Sequence, residues 1–156
     1  MADASYNTGK SSTSVLMSRL IKATNIKRFI DKHASCMKVE PFYEYIRQKC
    51  NEIGIVPEQV IKRSDIERTY GHQLFRGLRT PSRDKVIQLA FGFEFGVEET
   101  QKLLKIARKS ILYPKIKRDA AILFCINRGM SISDAQAVLE ELGISLLGEG
   151  DRNGKD

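Results

Sequence analysis

A chain of 156 residues, 42% of them hydrophobic, holds material for one respectable core, or one domain with a small helical annex, and excludes two large domains. The formal net charge is +7, and its placement says more than its size. Seven basic and three acidic residues give +4 over residues 1–40, nine of each cancel over 41–101, seven basic residues without an acidic one give +7 over 102–118, and three against seven give −4 over 119–156. Such a split suits a protein that meets a polyanion with one side and something else with the other.

Strand signals are nearly absent: no Asn-Gly or Asp-Gly hairpin is flanked by alternating residues, and apolar residues recur at three and four, so the fold class is all-α. The longest apolar runs, such as Ala120 to Ile126, fall far short of the roughly 18 residues of a membrane span. The first residues lack the apolar centre of a signal peptide, so a cytoplasmic location without membrane contact is expected. Cys36, Cys50 and Cys125 are odd in number and lack a C-x-x-C pair. Reduced thiols in or near the core are expected, rather than a disulfide framework or zinc knuckle. His33 and Cys36 have ligand spacing but no second pair to complete a site, so neither metal nor cofactor is expected.

Residues 1–13 are polar and read as a disordered tail. Over 14–38, basic residues interleave with Leu16, Leu20, Ile21, Ile26, Phe29 and Ile30. That spacing predicts one kinked or two short amphipathic helices broken at Thr24-Asn25, a segment able to lie on a membrane or bind a partner and expected to pack on the neighbouring core. Glu40-Pro41 opens a helix over 42–53, closed by Gly54. From Pro57 to Ser82 two short helices joined by a tight turn follow. Val60 and Ile61 give the first its buried side, Ser64 and Asp65 break it, and Ile66 opens the second, which runs from Glu67 to Arg76 and stops before Gly77.

At 3.6 residues per turn, Ile66, Tyr70 and Leu74 lie within about 80° of one another, while Arg68, Thr69, His72 and Arg76 occupy the opposite arc. Glycine costs a helix interior about 1 kcal/mol relative to alanine, so Gly71 predicts close packing or the close approach of a partner. Glu67 suits the positive end of the helix dipole and repels a nearby phosphate. Ser82 caps a fourth helix over 82–95, whose Val86, Ile87, Leu89, Ala90 and Phe93 close the core. Gly96 begins a fifth, with Val97, Gln101 and Leu104 at helical spacing.

An offset of 35 residues aligns the chain with itself, pairing Arg83-Asp84 with Arg118-Asp119, Ile87 with Ile122, Gln101 with Gln136 and Leu104 with Leu139, and Ser110 and Leu112 with Ser145 and Leu147. Two helical hairpins in tandem are predicted, the second with helices over 117–128 and 133–142, capped by Ser131 or Ser133 and stopped by Gly143. The pair reads as a short helical stack. Ala120 to Ile126 is apolar all round and must be covered by the body of the protein or by a second copy. Residues 149–156 read as a polar tail.

The aliphatics Val60, Ile66 and Leu74, the stop at Gly77 and the Pro81-Ser82 pair resemble the pattern of the Cro/repressor-like (Xre-type) helix-turn-helix family over about 42–104. The family usually has Ala where Ile61 stands, Gly where Asp65 stands and a β-branched aliphatic where Gly71 stands. The resemblance implies a five-helix lambda-repressor-like helix-turn-helix domain over 39–110, preceded by the helical segment 14–38 and followed by a C-terminal helical hairpin over 111–148. It further implies a transcriptional regulator that reads the major groove of double-stranded DNA with helix 67–76. Arg68, Thr69, His72 and Gln73 then fall at base-reading positions, with Arg76 and Arg79 on phosphates. It also implies a homodimer, for which the C-terminal hairpin around Ile122 to Ile126 and Val138 to Leu142 is the best contact.

The residues leave as the alternative a protein-interaction module that keeps the helix-turn-helix shape and holds a protein or peptide partner on its helical stack, since the charge over 41–101 cancels and Glu67 and Gly71 depart from a DNA-docking pattern. The basic run 102–118 suits phosphates or an acidic partner alike. No catalytic constellation is present: the chain has no G-x-S-x-G elbow, no phosphate loop and no H-E-x-x-H, and only two histidines. An enzyme is not expected.

Overall fold

Asn25 separates the first two helices. Its Oδ1 accepts the Arg28 N–H at 3.0 Å, so α1 (Thr13–Lys22) ends and α2 (Ile26–His33) begins at the break read from the sequence. This computed structural model describes residues 13–150. The tails read at 1–13 and 149–156 lie outside the described residues except for Thr13, which opens α1, and Glu149 and Gly150.

Contacts divide the chain into two compact units, one ending at Val39 and the other starting at Glu40. In the first, a 3-10 turn at Ala34–Cys36 follows α2, and among the described residues only Phe29 and His33 are buried. The core of the second unit takes its residues from Phe42 onward. The amino-terminal segment is a compact unit in its own right.

The second unit holds α3 (Phe42–Ile53), α4 (Pro57–Arg63), α5 (Arg68–Phe75), α6 (Arg83–Gly92), α7 (Val97–Ile106), α8 (Lys117–Asn127) and α9 (Ile132–Glu141). The chain is all-helical over the described residues, and none of these helices is long and apolar enough to cross a membrane. Most boundaries have local causes visible in the sequence. Gly54 ends α3 at φ +79°, and Pro57 stands in the first turn of α4. Ser82 and Ser131 accept the N–H groups of Lys85 and Asp134; Ser133 lies inside α9 and does not cap it.

Helix α6 stops three residues earlier than its apolar pattern, because Glu94 takes φ +59° and Phe95 donates its N–H back to the Ala90 carbonyl. Arg108 at φ +57° ends α7 in the same way. Thirty-five residues on, the equivalent positions are Gly129 and Gly143, both with positive φ. The second copy of the hairpin uses the residue this conformation favours, and the first does without it.

The repeat itself closes on itself. Helix α6 packs on α7 and α8 on α9, and across the repeat α6 meets α9 as α7 meets α8. Arg83 donates to both Asp119 oxygens at 3.1 and 2.9 Å and to the Ser110 and Ile111 carbonyls. Arg118 makes the same four bonds to Asp84, Ser145 and Leu146. Gln101 brackets Leu112 through its N–H and carbonyl, as Gln136 brackets Leu147. Tyr113 N–H bonds to Asp119 and Gly148 N–H to Asp84. Residue i meets j where j meets i, which is the contact rule of a two-fold dimer realised within one chain. The short helical stack read from the sequence is a pair of hairpins closed by these reciprocal bonds.

That pairing covers the apolar helix. Ile122, Cys125, Ile126 and Leu139 are buried by the chain's own residues, while Phe124 and Leu142 stay 50% and 46% exposed. Cys50 and Cys125 lie in the core, Cys36 is half-buried, and burial pushes the Cys50 thiol up to about 11.

Candidate nucleic-acid interface

Helices α4 and α5 are joined by four residues, Ser64 to Glu67, and the turn is held from within. Ser64 is wholly buried and its Oγ donates to the Val60 carbonyl at 2.6 Å. Asp65 takes φ +55°, a left-handed conformation that Asp tolerates better than most side chains. From α6, buried Gln88 donates to the Ser64 and Asp65 carbonyls at 3.1 and 3.3 Å. A Cβ on Gly92 would stand 2.5 Å from the Val60 carbonyl, so α6 reaches the turn only through a glycine there.

On α5, Gly71 faces Ile61, whose Cγ2 would lie 2.5 Å from an added Cβ. The close approach foretold for this glycine is to α4. Ile66 and Leu74 are buried and Tyr70 is half-buried, as the wheel requires. The helix is one residue shorter at each end than 67–76: Glu67 is its N-cap and Arg76 its C-cap.

The outward side of α5 carries Arg68, Thr69, His72 and Gln73 of the six residues singled out from the sequence, with Arg76 at its C-cap and Arg79 in the loop beyond. Arg68 is 76% exposed in its side chain and donates Nε to Glu58 Oε1 at 2.6 Å. His72 Nε2 lies 3.0 Å from the other Glu58 oxygen. Thr69 is exposed and tied to the Glu67 carboxylate through its N–H at 2.8 Å. Gln73 Oε1 accepts Arg79 Nε at 3.2 Å, which joins the helix to the loop after it. Arg76 is exposed and makes no side-chain bond among the described residues.

Two carboxylates share this surface. The Arg68 guanidinium, followed by His72, holds the Glu58 carboxyl below its ordinary range. The Tyr70 and Thr69 backbone N–H groups do the same for Glu67. Glu58 was missed from the sequence. It precedes Arg68 and His72 by ten and fourteen residues, and only the crossing of α4 over α5 brings the three together.

The basic run 102–118 divides by role. Lys102, Lys105, Arg108, Lys115 and Lys117 are exposed, whereas Arg118 closes the repeat on Asp84. Compared with protein-family models, with curated proteins and with solved structures, the chain matches none of them.

Proposed function

We propose that this chain is a sequence-specific double-stranded DNA-binding regulator of the helix-turn-helix type, with α5 laid in the major groove. The observation that carries the reading is the outward side of α5, where Arg68, Thr69 and Arg76 are exposed with His72 and Gln73 half-exposed beside them. Arg pairs bidentately with guanine and Gln with adenine, and Thr offers its methyl to thymine, each good pair contributing about 1–3 kcal/mol of discrimination. Arg76 and Arg79 at the helix exit suit phosphates. A homodimer on a palindrome completes the proposal, with the exposed Phe124 and Leu142 as the apolar residues left to a second copy.

Selection from random duplex DNA at moderate salt tests this, because it yields a motif and a half-site spacing together. Arg68→Ala is then expected to weaken the selected site by about tenfold or more and random DNA much less. Equal loss on both removes Arg68 from base reading, and failure to enrich any sequence ends the proposal. A second reading, a protein-interaction module, has one specific observation in its favour: Glu58 occupies Arg68 and His72, the groups that would meet bases. A shallow dependence of affinity on salt separates it from DNA binding.

A further inference from the structure

A cleft of about 380 Å³ lies between α1 and α2, walled by Arg19 and Lys22 from one helix and Arg28, Lys32 and His33 from the other, with Phe29 among its lining residues. No carboxylate among the described residues lines it, and Asp31 is the sole acidic residue from 13 to 39. Elsewhere in the chain Lys49, Arg68, Arg83 and Arg118 each hold a carboxylate. The four cations of the cleft hold none among the described residues, so like charges are gathered with nothing to offset them.

His33 adds a second, independent sign. It is 7% exposed and sets its ring at 71° to Phe29 with centroids 4.5 Å apart, while its nitrogens still reach solvent and have no hydrogen-bond partner among the described residues. A ring N–H that is held by aromatic packing and open at the wall of the cleft can donate to an anion bound there. Asn25, the N-cap of α2, also lines the cleft and brings the positive end of that helix to it.

We propose that this cleft binds a ligand carrying two or three linked phosphoryl groups. A cleft of this volume has room for more than one phosphoryl group, and it sits at the small end of ordinary ligand sites. Two sources share this chemistry: a free oligophosphate, such as the tail of a nucleotide, and the phosphorylated head of an anionic lipid, for which exposed Met17, Ile21, Ile26 and Ile30 offer apolar neighbours. The site is independent of the reading of α5.

The test is calorimetric titration of the full chain with inorganic tripolyphosphate near physiological salt, where diffuse attraction is screened beyond about 8 Å. One saturable site per chain is expected. Arg28→Ala with Lys32→Ala should weaken it about tenfold or more, while Lys115→Ala with Lys117→Ala leaves it unchanged. Both pairs are exposed, and unchanged circular dichroism verifies the fold. Amide shifts at Asn25 and His33 on titration locate the ligand. No saturable heat, or equal loss from the two variant pairs, overturns the proposal. Competition by cardiolipin-containing phosphatidylcholine vesicles, lost in the Arg28/Lys32 variant, assigns the site to a lipid head; binding of tripolyphosphate without such competition assigns it to a free ligand. Stoichiometric displacement by a short random duplex gives the cleft to DNA and ends the proposal.

Discussion

Ile61 and Gly71 are two departures from the helix-turn-helix pattern that offset each other. Where the family usually sets a small residue on the first helix and a large one on the second, this chain does the reverse, and Ile61 fills the space that Gly71 leaves. Gly71→Ala gains helix propensity of about 1 kcal/mol, but its Cβ meets a β-branched, wholly packed side chain at 2.5 Å. Net destabilisation of about 1–2 kcal/mol in urea denaturation is therefore expected. Ile61→Ala alone should cost about 2–5 kcal/mol. The double variant should cost less than the sum, since each change relieves the other; simple additivity would mean the two do not share one space. Composition and spacing flagged Gly71 as a place of close approach but could not say to what. The answer depends on how α4 crosses α5, which no single-helix periodicity encodes.

At the scale of elements, the seven identities of the 35-residue offset turn out to be the fastenings of the repeat. Arg83, Asp84 and Gln101, their equivalents Arg118, Asp119 and Gln136, and the leucines 112 and 147 make the reciprocal bonds or fill the core. The sequence displayed these residues as identical but not their pairing, because whether Arg83 meets its own or the other copy's aspartate is decided by topology. Where the copies differ, the difference also has a cause. Gln88 and Gly92 serve the α4–α5 turn, and their equivalents Leu123 and Asn127 have no such turn to serve. Asp119 is 2% exposed and Asp84 16% in their side chains. Asp119→Ala leaves the Arg83 guanidinium with only the Ser110 and Ile111 carbonyls and the Tyr113 N–H without its acceptor, and its cost should be about 3–5 kcal/mol. Asp84→Ala should cost less, because water reaches what it leaves behind. Guanidinium melts of the two variants check the order, and an equal or smaller loss for Asp119 would mean that depth of burial does not set what each ion pair contributes.

The proposed DNA-reading surface belongs to the same scale. Its cations were legible as an arc on α5, whereas Glu58 was invisible because its partners lie on another helix. Glu58 costs the surface one negative charge and engages both Arg68 and His72. Glu58→Ala should therefore tighten binding to random duplex DNA and steepen the fall of log affinity with log salt by about one unit, as one more cation becomes available to phosphate. Fluorescence anisotropy across a salt series reads both. An unchanged slope with weaker specific binding would instead make Glu58 a support that aims Arg68.

The molecule as a whole answers acid through its second unit. Burial would raise the Asp84 carboxyl, but the Arg118 guanidinium, the Gly148 N–H and the charges of Arg118 and Arg83 outweigh it and hold the group below its ordinary value of 3.8. Glu58 and Glu67 are likewise held below 4.5. A carboxyl depressed in the folded state binds fewer protons there than in the unfolded chain. Its contribution is complete above the unfolded value and disappears as pH falls through the folded one. The denaturation midpoint should thus be flat in this respect from neutral pH to about 5 and drop below about 4. Asp84→Asn should lower the midpoint at neutral pH, with the gap from the unaltered chain narrowing as acid protonates Asp84. Hydrogen exchange gives the spatial check. Amides of α6 and α8, which the Asp84–Arg118 pair joins, should lose protection with acid, whereas those of α1 and α2, with only Phe29 and His33 buried, should exchange readily at any pH once the intrinsic rate is divided out. Acid-independent protection in α6 and α8 would mean that apolar burial alone, and not the reciprocal ion pairs, holds the repeat shut.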